Sequence, residues 1–509
     1  MANRKKGLKL FDIIAFTFSA VFVLDSFSAA AAIGWQSIIY WCILAVIYFL
    51  PYGLLTVELG STYSDGGGIY TWVKRAFSPK WAARTNWFYW LNVGLWMSSV
   101  YIAFSSSISL IFFPNHPLSI WIQIGIAVLI TWITVLVGLM NINYTKWLPN
   151  LSSLAKVIVT CGLVLALIVW LAKGGGVQTP FNDPKYGILP SWSTGIVFLP
   201  VIIYNLSGFE LGSNTVKNMK NPKRDIPLSI LLAGVTVIVA YVLGTVAVNI
   251  ILNVKDLNIS NGIIQTIAKV FPGWLTKIFG FFLVITFFGN MVTWTAGSNR
   301  AIQEASDDGE FPKLFASKLG NDSPLWATII TGAISTILLI IAGLTSKGRS
   351  ISDLFWQLYS FSSIIFLMPY LFIFPSFLIL RKKEPNIDRP FKIPGNRFIQ
   401  WSVTLLPMSI LVLSIILFIF GDIIVGNKSI SMSGVNAGGP FVLFSIIGTI
   451  ICILVGEILI WWASKERKND KNIHNLNVNT TNINTNTTNN IILNNKKEQK
   501  NEQQSKIKS

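Results

Sequence analysis

Apolar runs recur along most of the chain, separated by short polar or basic segments, and each is near the roughly 20 residues a helix needs to cross a bilayer. Twelve spanning helices are expected, at 10–33, 36–60, 84–113, 118–140, 151–173, 192–213, 228–252, 274–300, 325–344, 354–380, 399–424 and 440–463. Two of these runs are not uniformly apolar. Span one places Asp25 near its middle, with Ser26 and Ser28 beside it. Span six carries Tyr204-Asn205-Leu206-Ser207-Gly208-Phe209-Glu210, a polar interruption between apolar stretches. Polar groups at that depth cost several kcal/mol when they face lipid, so both interruptions should line a cavity or pack against protein. A helix broken there leaves N–H and C=O groups free to hold a ligand. The plainer alternative is a helix kinked at Pro200 and Gly208 that binds nothing.

Composition narrows the class to a polytopic membrane protein: 52% of the 509 residues are hydrophobic and 12% charged, with a mean hydropathy of +0.58. The net charge of +18 does not point to nucleic acid, because the basic residues sit in short loops and the tail and not on one soluble face. Counted loop by loop with the N-terminus inside, 31 Lys and Arg fall on the cytoplasmic side and 8 on the other, which places both termini in the cytoplasm. Residues 1–9 form a short basic start, and 464–509, rich in Asn, Thr and Lys without apolar periodicity, are expected to be a disordered cytoplasmic tail.

Cys42, Cys161 and Cys452 each lie inside an apolar run and read as small core residues, and with two histidines in the chain a transition-metal centre is not expected. No cofactor is expected, and no Cys-His pairing, HExxH or GxSxG constellation supports an enzyme. The three glycines at Gly66 to Gly68 lack the Lys and Ser/Thr of a phosphate cradle and read as a flexible turn. Asp307 and Asp308 lack EF-hand spacing and read as a solvated loop.

Several motifs together carry a family resemblance that covers about residues 8–465. Glu210 followed by Asn221-Pro222-Lys223-Arg224-Asp225-Ile226-Pro227 resembles helix six of the amino acid, polyamine and organocation superfamily of secondary transporters, in particular its bacterial amino acid antiporters of the glutamate/GABA branch. Glu58-Leu59-Gly60 with Gly66-Gly67 beyond it, Trp294 thirteen residues before Asp307, Phe311-Pro312, and Arg389-Pro390-Phe391 are similar to the same family. Span one departs from it, because Val23-Leu24-Asp25-Ser26-Phe27 stands where members usually carry a glycine-rich break.

The resemblance implies an all-α fold of two inverted repeats (about 10–173 and 192–380) with spans one and six broken, plus two further helices at 399–463. It implies a secondary transporter of amino acids or related amines in the cell membrane, working by alternating access and expected to be an exchanger. A proton-coupled symporter and a nutrient sensor without transport are the alternatives. The substrate is then expected to meet Val23, Leu24, Asp25, Ser26, Tyr204, Asn205, Ser207, Gly208 and Trp294, with Tyr204 closing over it as a gate. Matching Tyr89-Trp90-Leu91 adds Asn92 and Met97 on span three, although Trp and Met at helical spacing also read as core. Glu210 and Lys156 are expected to couple or gate. Lys156 would stand where sodium-driven relatives of the fold bind the ion; a lysine there could instead snorkel to the interface. Asp25 either selects a cationic group on the substrate or pairs internally with Lys156.

Overall fold

The computed structural model describes residues 9–24, 27–63, 68–190, 195–218, 220–258, 261–320, 322–346, 350–425 and 442–470. Asp25, Ser26, the first two glycines of the turn, and residues 471–509 of the expected tail therefore lie outside the described residues.

The described chain is helical, with one isolated bridge between Lys318 and Pro324. Ten of its helices are long and apolar enough to span a membrane. In chain order the elements are α1 (Leu10–Val21), α2 (Phe27–Ala31), α3 (Gln36–Thr62), α4 (Ile69–Ala76), α5 (Pro79–Phe112), α6 (Ile120–Gly138) and α7 (Trp147–Ala172). They continue as α8 (Gly195–Asn205), α9 (Pro222–Ile251), α10 (Gly262–Val270), α11 (Gly273–Asp307) and α12 (Leu325–Leu344). The last are α13 (Ile351–Leu367), α14 (Tyr370–Lys383), α15 (Arg397–Val425) and α16 (Val442–Asp470).

The expected span over 10–33 is two helices, α1 and α2, and that over 192–213 is α8 followed by a 3-10 turn, Phe209–Asn218. The amphipathic α10 fell between two expected spans because its short, mixed sequence lacks the length of a membrane run. α16 runs to Asp470, past the expected end at 463, where Arg467 pairs with Glu310 and Lys313 with Asp470.

Burial sorts the helices. Of the most apolar window of α5, 83% is buried, against 28% for α16, so α5 is the core of the molecule and α16 is at its margin. α5 packs against α11, α13 and α12, while α1 packs against α9 and α7. The long apolar side chains left outside, such as Leu129, Leu136, Ile168 and Ile458, form the belt that lipid would cover. Cys42 and Cys161 belong to this outer face and Cys452 is half-buried, so the expectation of three core cysteines is corrected: an apolar run can turn a small residue to lipid as well as inward.

Two local irregularities aim residues at the centre. A π turn over Ala45–Phe49 shifts the register of α3, and Tyr48 and Tyr52, one turn apart, both become fully buried. Pro369, which has no N–H to continue the helical ladder, sits at the joint of α13 and α14 just before Tyr370.

Candidate functional site

The break in span one is held by side chains from three other helices. The last regular bond runs from the Phe22 N–H to Phe18 at 3.0 Å, after which Phe22 turns extended (φ −76°, ψ 96°). The freed carbonyls are taken in turn. Lys156 of α7 donates to Ser19 at 2.5 Å and also to Phe22. The Trp294 indole of α11 donates to Ala20 at 2.9 Å. The Tyr241 hydroxyl of α9 accepts from the Val23 N–H at 2.9 Å and faces the carbonyls of Val23 and Val21 at 3.2 and 3.4 Å. Lys156 is 1% exposed, so its ammonium points inward and does not snorkel. Val23 and Leu24 are buried in this segment, and the small residues Ala29 to Ala31 let other helices approach α2.

The break in span six follows a different rule. α8 ends at Asn205, the Ser207 N–H closes a tight turn onto Tyr204 at 3.1 Å, and Gly208 adopts φ +104°, a conformation that side chains other than hydrogen rarely accept. A Cβ at Gly208 would lie 2.8 Å from the Trp294 ring. The Tyr52 hydroxyl accepts from the N–H groups of Gly208 and Phe209 at 3.1 and 2.9 Å, and the Tyr48 hydroxyl meets Ser207 at 2.7 Å. Asn205 is buried beside them.

Glu210, fully buried, opens the 3-10 turn and receives three phenols: Tyr52, Tyr89 at 2.7 Å and Tyr370 at 2.8 Å. A carboxylate so placed gains about 1.5–3 kcal/mol from each such bond, which offsets its loss of water. The four residues come from span six, α3, α5 and α14, so the cluster links these four segments.

Trp294 joins the two breaks: its indole N–H is on Ala20 and its ring lies against Gly208. Around it stands an aromatic enclosure in which Trp96 and Phe366 each touch both Trp294 and Tyr204, at centroid distances between 4.9 and 5.9 Å. The expected wall residues Tyr204 and Trp294 are thus brought together through two intermediates. Asn92 and Met97 are wholly buried on α5. The Asn92 amide and the Trp96 indole N–H, one helical turn apart, have no hydrogen-bond partner among the described residues. Buried polar groups left so are uncommon in proteins, and a ligand is one way to satisfy them.

Comparison with known proteins now decides the class. The amino acid permease family matches residues 8–456. The chain belongs to that family. It is 32% identical over 465 residues to the probable agmatine/putrescine antiporter of Lactococcus lactis subsp. lactis, covering 90% of this chain and 96% of that protein. A glutamate/gamma-aminobutyrate antiporter of the same organism is 24% identical over 419 residues, covering 78% of this chain and 80% of the relative. An uncharacterized transporter of Legionella pneumophila subsp. pneumophila is 24% identical over 413 residues, 79% of this chain and 86% of that one. The family and these relatives are transporters, and the chain is a multi-pass membrane protein of the same kind.

Two permease motifs gain physical roles far from the enclosure. Glu58, 1% exposed, accepts two bonds from Arg381 (2.8 and 2.5 Å), lies 3.3 Å from Arg389 and caps the Ile393 N–H at 2.7 Å. Arg389 in turn donates to carbonyls at the end of α14, among them Glu384 at 2.8 Å. The Glu-Leu-Gly and Arg-Pro-Phe motifs are therefore one cluster that ties α3 to α14. Gly60 lets α3 approach the segment after Glu210, since a Cβ there would meet Ser213 at 2.9 Å. Asp308, read as solvated, pairs with Lys74, and Asp307 with Lys318 at 2.8 Å; both pairs are exposed and contribute little to stability.

Sequence reasoning missed Tyr48, Tyr52, Tyr241 and Tyr370. The available signal was chemical: a phenol inside an apolar run needs a hydrogen-bond partner, and spans two, seven and ten carry these four. Which partner each finds is a long-range matter that periodicity does not report.

Proposed function

We propose that this permease exchanges amino acids or their decarboxylated amines, and that its substrate is a cationic amine. What carries this reading is the pair of breaks meeting at Trp294, flanked by an aromatic enclosure that includes Trp96, whose indole N–H, like the Asn92 amide one helical turn away, has no partner among the described residues. Flat π faces attract a cation, and an amide and an indole N–H orient a polar end. The exchange reading is also supported by the antiporter names of the relatives that align over most of this chain.

In this reading the substrate sits between the breaks, Tyr204 and Trp294 close over it, and Glu210 with its phenols couples movement of span six to α3, α5 and α14. Asp25 adds the countercharge for the cation, and the ammonium of Lys156 replaces a sodium ion, so transport proceeds in sodium-free buffer. Twelve spans in two inverted repeats and cytoplasmic termini complete the proposal.

Counterflow into proteoliposomes tests it. Vesicles preloaded with putrescine should accumulate labelled agmatine or putrescine, and neither external sodium nor a proton gradient should be needed. Accumulation in unloaded vesicles driven by an acid exterior would show a symporter instead. Efficient uptake of glutamate would exclude cation selection.

A further inference from the structure

We propose that Tyr241 is a positioning residue: its hydroxyl, together with Lys156, replaces the first helical hydrogen bond lost where span one opens. In an unbroken α-helix the Val23 N–H would bond to the Ser19 carbonyl, four residues back. Here that bond is divided between two side chains. Lys156 holds the acceptor, Ser19, at 2.5 Å, and the Tyr241 hydroxyl holds the donor, Val23, at 2.9 Å. The same hydroxyl faces the Val23 carbonyl at 3.2 Å, so one phenol serves both backbone groups of the residue at the break.

The phenol is placed to do this by the packing of its ring. Tyr241 is fully buried, stacked on Trp41 (centroids 4.3 Å, 9° between planes) and on Phe27 of α2 (6.0 Å, 7°), with the edge of Phe22 at 4.9 Å. It therefore touches span one on both sides of the break. This accounts for a broken helix in a stretch whose sequence, Val23 and Leu24 after Phe22, carries no glycine. Without the hydroxyl, the Val23 N–H and C=O lose these partners in an apolar interior, and the segment must shift to find new ones. The shift reaches the ligand through the neighbouring Ala20 carbonyl, which holds Trp294.

This inference rests on the exchanger reading for its transport readout alone. Tyr241→Phe keeps the stacked ring and removes the oxygen. In putrescine counterflow it should raise KM about tenfold while the maximal rate stays within about twofold, as expected for one buried hydrogen bond lost at a binding segment. Tyr101→Phe is the control, because Tyr101 is also fully buried and its hydroxyl meets Thr134, away from both breaks. It should lower thermal stability and leave KM alone. Hydrogen exchange on the full chain in detergent supplies a readout without substrate: amides at 22–24 should exchange faster in Tyr241→Phe and as wild type in Tyr101→Phe. An unchanged KM, or equal KM shifts in the two variants, would overturn the proposal. Absence of counterflow by the wild type would reject the exchanger reading instead; hydrogen exchange then decides on Tyr241, with unchanged rates at 22–24 overturning it.

Discussion

The two breaks at the centre of this permease differ in what their own sequence contributes. Span six breaks where its own sequence demands it: Gly208 takes a positive φ, and the missing side chain admits Trp294. Span one breaks through residues that could all sit in a helix, and it is held open from outside by Lys156, Trp294 and Tyr241, which come from α7, α11 and α9. Tyr52 of α3 also holds the Gly208 and Phe209 N–H groups, so the span-six break is local in its glycine and borrowed in its partners, whereas that of span one is borrowed throughout. The lesson is that a glycine is not required for a broken membrane helix when neighbouring helices supply the donors and acceptors that unwinding exposes.

The comparison can be broken most severely at Gly208. Gly208→Ala forces a side chain into φ +104° and into the ring of Trp294, which together cost about 3 kcal/mol or more. Counterflow should fall at least about a hundredfold; a rate within twofold of wild type would show that the local break is not needed.

Lys156→Ala attacks the borrowed break. It leaves the Ser19 and Phe22 carbonyls without the ammonium, at about 1–3 kcal/mol each, and should reduce counterflow by about tenfold or more. Lys156→Met, which restores volume without charge, separates packing from donation: recovery of transport with Met would mean that filling the space is what matters.

Tyr204→Ala removes the ring that meets Trp96, Tyr359 and Phe366. Membrane insertion should persist while KM for putrescine rises by about tenfold, the scale of a lost aromatic contact to a cation. Wild-type affinity in this variant would remove Tyr204 from the gate.

The smallest effect sharpens the distinction between site and scaffold. Asn92→Leu replaces a buried amide that has no partner among the described residues, so it should raise the melting temperature slightly while weakening affinity a few-fold. A lowered melting temperature with unchanged affinity would make Asn92 structural.

Much of this molecule is legible in its sequence. Long apolar runs report helices because a membrane interior tolerates few other backbones, and the loops between them hold the charges. The interruption at Asn205 to Glu210 stands out because polar residues and a glycine at that depth are too costly to leave facing lipid. Trp294 is legible only through the family resemblance, which carries a tryptophan thirteen residues before the position of Asp307. Tyr241 and Tyr370 are not, because a tyrosine in an apolar run looks the same whether it packs, faces lipid or clamps a distant stretch of backbone. The cysteines mislead for the same reason, since hydropathy does not separate a face turned to lipid from one turned inward.

What the sequence by itself determined is therefore what depends on neighbours in the chain: the long apolar helices, the polar interruption at Asn205 to Glu210, and the basic loops. Tertiary structure alone decided that span one breaks without a glycine, that one carboxylate gathers phenols from three helices, and that two motifs from opposite ends of the chain meet at Glu58 and Arg389. The physical reason is that a backbone amide or a buried carboxylate requires a partner of the right chemistry but does not encode where along the chain that partner lies.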